Sequence, residues 1–140
     1  MGTDLRSLAT VLTALLVGVA ATLVGCATSG GPVAVSDIKT VTGTWQGIVY
    51  PYSELDPYRV TLTIRDDGTY DVVSMARQVI GTASGKGTVV IRDGRLVFEG
   101  ERGGRGVGRI LEDRAGNRTM MVDATLSDNS TVSAQLSPSK

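Results

Sequence analysis

Hydrophobic and polar residues alternate along most of the chain between residues 42 and 136. Residues 58–65 show this best, since Val60, Leu62 and Ile64 alternate with arginine and threonine. A period of two predicts β-strands that bury one face and expose the other. Eight strands are predicted, at residues 42–50, 58–65, 69–75, 85–92, 95–99, 106–111, 118–126 and 131–136.

Short turns and longer loops alternate between these strands. Asp66-Asp67-Gly68 and Asp93-Gly94 are hairpin signals, because glycine takes the positive φ that tight turns demand. With residues 113–116 they are expected at one end, which should be closed. The other connections lie at the opposite, open end, at residues 51–57, 77–84, 100–105 and 127–129. The order predicts an all-β fold, an eight-stranded antiparallel up-and-down barrel; an open sandwich is the alternative.

Glycines and tyrosines cluster at the predicted open end. Inward-facing glycines without side chains would widen the interior there, and tyrosines would give rings and hydroxyl groups to a ligand. The candidate ligand-binding residues are Tyr50, Tyr52, Tyr58, Met75, Gly85, Gly87, Gly106 and Gly108. A barrel of eight strands either holds one small ligand or is filled by its own side chains. In the second case the glycines would serve strand coiling and the tyrosines would cover the core.

The chain begins with an apolar segment, and no charged residue occurs from Ser7 to Ser36. Leu23-Val24-Gly25-Cys26 closes this segment and resembles a bacterial lipobox, in which the precursor is cut before a cysteine that is then acylated. Residues 1–25 are therefore predicted to be a signal peptide, residues 26–40 the lipidated cysteine with a flexible tether, and residues 41–137 the barrel domain. A retained transmembrane anchor is the alternative, since the apolar run approaches the length that spans a bilayer.

The lipobox resemblance implies a cell-envelope lipoprotein that is held to the membrane by acyl chains on Cys26. Ala27 after the cysteine suggests the outer membrane, facing the periplasm, if the cell has two membranes. Cys26 is the only cysteine of the chain, so no intrachain disulfide is possible. The closed end of the barrel and the tether lie together in this arrangement, which directs the open end away from the membrane.

Composition narrows the function further. The 14 basic and 14 acidic residues balance, which argues against nucleic acid as a partner. Glu99, Glu101, Glu112 and Asp113 offset the five arginines between residues 102 and 118, which predicts a solvated face. Histidine is absent and the one cysteine is assigned to lipid, so the usual general base and zinc ligands are missing. We therefore expect no catalytic residues, metal or cofactor, and a protein that is not an enzyme.

Gly43-Thr44-Trp45 opens the first predicted strand and resembles the Gly-x-Trp motif of lipocalins and related calycin barrels. The resemblance covers most of residues 42–136 and implies that Trp45 plugs the closed end. It favours a lipoprotein that binds a small apolar ligand at its open end. A filled barrel that acts as an interaction or inhibitor module on an envelope protein is the alternative. Replacing Gly87 with leucine should abolish ligand uptake in the first case and merely strain the strand in the second.

Overall fold

A computed structural model of the chain describes residues 30–52, 56–75 and 83–140. The described strands are β1 (Gly31–Val33), β2 (Gly43–Pro51), β3 (Tyr58–Ile64), β4 (Thr69–Met75), β5 (Ala83–Arg92), β6 (Arg95–Gly100), β7 (Arg105–Glu112), β8 (Arg118–Thr125) and β9 (Thr131–Pro138). A 3-10 helix spans Ile38–Thr40. The predicted signal peptide and Cys26 lie outside the described residues. No helix in the described ranges is long and apolar enough to cross a membrane.

Strands β2 to β9 form a closed barrel. Each strand pairs antiparallel with the next along the chain, and β2 pairs with β9 to close the circle. The predicted eight-stranded antiparallel barrel is confirmed, and the open sandwich is excluded. Each predicted strand begins and ends within two residues of the observed one.

Apolar side chains fill the closed half of the barrel. Alternate residues of each strand face inward, as the period of two requires. The side chains packed at this end include Val41, Trp45, Ile64, Leu96, Ile110 and Met120, and none is more than 3% exposed. The Trp45 indole Nε1 donates a hydrogen bond to the Val41 carbonyl oxygen at 2.9 Å, so its polar atom is satisfied inside the core.

Residues 30–40, which were predicted as part of a flexible tether, instead contact the barrel. Strand β1 pairs with the end of β7, from Gly31 opposite Glu112 to Val33 opposite Ile110. The Val35 amide then donates to the Gly94 carbonyl oxygen at 2.9 Å, and the Val35 side chain is buried. Because most residues of this segment are small or polar, the sequence pattern did not indicate that its valines contact the barrel. These valines supply contacts that hold the segment to the closed end.

Aspartate side chains fix several of the turns. Asp67 accepts from the amide and hydroxyl of Thr69, at 2.9 and 2.6 Å, and this lowers the pKa of the Asp67 carboxyl. Asp113 accepts from Asn117, and its pKa is lowered by that side-chain and backbone bonding. Such local bonds stabilise turns that connect neighbouring strands. The predicted hairpins at Asp66–Gly68 and Asp93–Gly94 are present, with positive φ at Gly68, Asp93 and Gly94.

Candidate functional site

The open half of the barrel encloses a cavity of about 730 Å³. Inward-facing residues from all eight barrel strands line it, and its apolar walls include Val60, Leu62, Val72, Phe98, Val122 and Leu136. Leu62 and Leu136 are the strand partners of Trp45 and Met120, so the cavity ends where the packed core begins. The barrel therefore combines a filled closed half with an open, largely apolar chamber.

Three of the eight predicted ligand-binding residues line this chamber. They are Tyr58 on β3, Gly85 on β5 and Gly106 on β7. Gly87 and Gly108 are buried one step deeper along β5 and β7 and do not line the chamber. Three members of the predicted set therefore lie together in the chamber, and the other five lie outside it.

Tyr50, Tyr52 and Met75 do not face the chamber, which corrects their predicted placement. They are 47%, 72% and 70% exposed, respectively. On β2 the inward series is Trp45, Gly47 and Val49, so Tyr50 lies on the outer face. Met75 pairs with Arg59, an exposed residue of β3. These residues are close to the mouth along the chain, but the alternation of the strands turns their side chains outward.

The inward glycines have two different roles. A Cβ on Gly87 would lie 2.0 Å from the Glu99 carbonyl oxygen, so the β5 and β6 backbones approach too closely there for any side chain. A Cβ on Gly85 would meet only the Val72 Cγ1 atom, at 3.1 Å. The proposed Gly87→Leu comparison therefore fails as a discriminator, because it would disrupt the strand pairing whether or not a ligand binds.

Two tyrosines give polar groups to the apolar chamber. Tyr58 and Tyr70 are both partly buried, and burial raises the pKa of each phenol; the charge of Asp128 raises that of Tyr58 further. Both phenols therefore stay protonated and can donate a hydrogen bond to a ligand near neutral pH. The Tyr70 ring packs edge-on against Phe98, with centroids 5.3 Å apart. Tyr70 was missed in the sequence because no inward face was assigned to residues 69–75, although Tyr70 and Val72 alternate.

Charged side chains occur at the mouth. Lys86 and Glu101 lie on the rim and form an ion pair, with Nζ and Oε2 3.6 Å apart. Arg102 and Arg105 also line the mouth, and neither guanidinium group forms an ion pair or hydrogen bond with another described residue. Among residues 30–52, 56–75 and 83–140, no group of three His, Cys, Asp or Glu side chains is placed to hold a metal ion.

An apolar groove also crosses the outer wall of the barrel. It has a volume of about 630 Å³ and is lined by Tyr52, Val97 and Val107, among others. Val97 pairs with Val90 on one side and with Val107 on the other, so three valines lie side by side on the outer face. The groove and the chamber share part of their lining, at Arg105, Gly106, Ala124, Thr125 and Val132, and lie on opposite sides of the wall formed by β7, β8 and β9.

Comparison with known proteins does not assign the chain to a family. It matches no protein-family model and no curated protein.

Proposed function

We propose that this chain is a non-enzymatic, lipid-anchored lipoprotein of the cell envelope whose lipocalin-like barrel binds a small, mainly apolar ligand. The observation that carries the proposal is the chamber of about 730 Å³ in the open half of the barrel. Its volume is typical of small-molecule sites, which are commonly about 300–1,000 Å³. An apolar molecule that enters it is stabilised by about 25 cal/mol for each Å² of apolar surface removed from water.

The arrangement of the core supports binding because it makes the chamber a preformed site. Trp45 and Met120 pack the closed half, and eight hydrogen-bonded strands surround the open half. A ligand therefore enters a cavity that the folded chain already maintains, with little ordering cost on binding. The protonated Tyr58 and Tyr70 phenols supply the few polar contacts that orient a ligand in such a site.

Blocking the chamber should abolish binding. Ala124 faces inward on β8 beside its strand partner Gly106, which has no side chain, so phenylalanine at residue 124 would project into the chamber. We expect Ala124→Phe to weaken binding of the neutral probe N-phenyl-1-naphthylamine about tenfold or more. Displacing about 60 Å² of apolar contact costs about 1.4 kcal/mol, which is a factor of ten. Probe fluorescence, which rises in apolar surroundings, measures the binding.

The matched control adds the same ring to the outer wall. Val107 faces outward on β7, next to Gly106, so Val107→Phe should bind the probe as the parent does. All variants are made in a Cys26→Ser background, so that no acyl chain competes for the chamber. A folded Ala124→Phe protein with unchanged probe affinity would show that the probe does not occupy the chamber.

The membrane anchor is tested separately. Cys26 is the only cysteine, and replacing it with serine removes the sole thiol to which an acyl chain can be attached. We expect the parent chain to incorporate labelled palmitate and to sediment with membranes, and Cys26→Ser to incorporate none. Palmitate labelling of the Cys26→Ser protein would contradict lipidation at this residue. Ser36→Ala serves as a control that leaves the lipobox intact.

A second candidate function is binding of an envelope protein through the outer groove. Tyr52, Val90 and Val107 are large apolar residues exposed on this wall. A contiguous exposed apolar surface is typical of interaction sites. In this case Val107→Phe should change the binding of the envelope protein in cells, whereas Ala124→Phe should leave that binding unchanged.

A further inference from the structure

We propose that the ligand is an amphiphile whose acidic head group is held at the mouth by Arg102 and Arg105, with its apolar chain inside the barrel. The inference rests on the proposed ligand-binding function and specifies the chemical class of the ligand. Two observations carry it: the distribution of charge along the depth of the chamber, and the lack of ion-pair partners for these two arginine side chains among the described residues.

Charge is confined to the mouth of the chamber. The residues that face inward along its depth are aliphatic or aromatic, together with the hydroxyl groups of Ser74, Tyr58 and Tyr70. Among the charged residues that line it, Glu101 and Arg102 lie in the β6–β7 turn, Lys86 and Arg105 lie on the outward series at the open ends of β5 and β7, and Asp71 lies on the outward series of β4. Asp71 is paired with Arg65. A ligand charge in the depth of the barrel would lose its hydration without gaining a partner, so a charged group belongs at the mouth.

Among the described residues that line the mouth, the charge without an ion-pair partner is positive. Lys86 is paired with Glu101, whereas Arg102 and Arg105 have no ion pair within the described part of the chain. Three other described carboxylates lie nearby: Glu99 is the strand partner of Arg105, Asp123 lies diagonally across from Arg105 on β8, and the charge of Asp128 raises the pKa of Tyr58. None of these three carboxylates lines the chamber. An approaching head group therefore meets two guanidinium groups that form no ion pair with any described residue.

The turn that carries Arg102 is well defined. The Gly100 amide donates to the Gly104 carbonyl oxygen at 2.7 Å, and the Gly103 amide donates to the Gly100 carbonyl oxygen at 3.0 Å. The Glu101 amide also donates to the Lys86 carbonyl oxygen at 2.9 Å, which ties the turn to β5. Arg102 therefore extends from a braced turn, and Arg105 follows at the start of β7. Guanidinium groups bind carboxylates and phosphates through paired N–H donors, so both head groups suit this rim.

The test compares ligands that share one chain length and differ in the head group. Decanoate, decyl phosphate, decanol and decylammonium compete with N-phenyl-1-naphthylamine for the Cys26→Ser protein, each below its micellar concentration. We expect the two acidic amphiphiles to displace the probe at about one tenth of the decanol concentration, because an ionic hydrogen bond at an exposed rim contributes about a factor of ten. Decylammonium should bind most weakly. The ratio of decanoate to decyl phosphate affinity identifies the preferred acid.

Arginine variants assign the preference to the mouth. The double variant Arg102→Gln/Arg105→Gln should lose about tenfold in affinity for decanoate and decyl phosphate and retain its affinity for decanol. Arg92→Gln/Arg95→Gln, at the turn of the opposite end, removes the same charge and should preserve the preference. Raising the salt concentration should reduce the preference, since exposed charges are screened.

The outcomes separate this inference from the proposed function. Equal displacement by decanol and the acids, with the probe still bound, would overturn the acidic head group and leave the binding barrel intact. A preference that survives the Arg102→Gln/Arg105→Gln change would overturn the role of these arginines. Absence of probe binding to a folded protein would remove both the chamber function and the inference built on it.

Discussion

Gly87→Ala is expected to destabilise the barrel by about 3 kcal/mol or more, the upper range for an overpacked site. An added Cβ would lie 2.0 Å from the Glu99 carbonyl oxygen and 2.9 Å from both the Glu99 carbonyl carbon and the Gly100 Cα atom. All three are backbone atoms, so no side-chain rotation relieves the contact and β6 itself must move. Urea unfolding measures the loss, and the melting temperature should fall by roughly 10–20 °C for a domain of this size.

Gly85→Ala is the matched control for this prediction. It adds the same methyl group on the same face of β5, two residues earlier, where it meets only the Val72 Cγ1 atom at 3.1 Å. The Val72 side chain has room to shift toward the chamber, so we expect a change within about 1 kcal/mol. Gly47→Ala should resemble Gly87→Ala, since its Cβ would lie 1.8 Å from the Gln135 carbonyl oxygen. If Gly87→Ala is as stable as Gly85→Ala, the β5 and β6 backbones can move apart at Gly87 without loss of stability.

Trp45→Ala should destabilise the protein by about 3–5 kcal/mol, the range for removing a large buried aromatic side chain. Trp45 is 3% exposed and packs among the residues that fill the closed half of the barrel. Its loss leaves a void beneath the chamber and removes the hydrogen bond to the Val41 carbonyl oxygen. Equilibrium unfolding in urea, followed by far-ultraviolet circular dichroism, measures the effect because the variant lacks the only tryptophan.

Trp45→Phe separates the two contributions. Phenylalanine retains an aromatic ring and removes the Nε1 donor, so the buried Val41 carbonyl oxygen loses its partner. We expect a smaller loss of about 1–3 kcal/mol, the cost of leaving one buried polar group unpaired together with a reduced ring volume. Val107→Ala, on the exposed outer wall, should change stability by less than about 0.5 kcal/mol. If Trp45→Phe is as stable as the parent protein, the indole hydrogen bond does not contribute to the free energy of unfolding.

The strands were predictable because one physical rule controls most of this chain. Each barrel strand buries one face and hydrates the other, so Val60, Leu62 and Ile64 mark an inner face without knowledge of any partner strand. The turns were predictable for a related reason, since Gly68 and Gly94 adopt the positive φ that hairpins require. These local signals were sufficient to define an up-and-down order and the two ends of the barrel.

Contacts between distant segments were not predictable from local pattern. Whether Gly87 lines a cavity or touches a neighbouring backbone depends on the approach of β6, which the sequence of β5 does not encode. Strand β1 is only three residues long and gains its partner from β7, about 80 residues later. The sequence predicts a solvated face for Arg102 and Arg105 because acidic residues flank them in the chain, whereas in space neither side chain forms an ion pair with a described residue at the mouth.

The attachment of β1 to β7 also limits the reach of a membrane anchor. Gly31 is already paired with the closed end, so only residues 27–30 lie between Cys26 and the barrel. Five Cα–Cα steps span at most about 18 Å when fully extended. With Cys26 acylated as proposed, the closed end is confined to the bilayer surface, and the mouth opens roughly 20 Å further out, one strand length away. The barrel would then exchange ligand with molecules in the aqueous layer. Lengthening the segment of residues 27–30 should leave the affinity for ligand unchanged and allow the barrel to tilt relative to the bilayer.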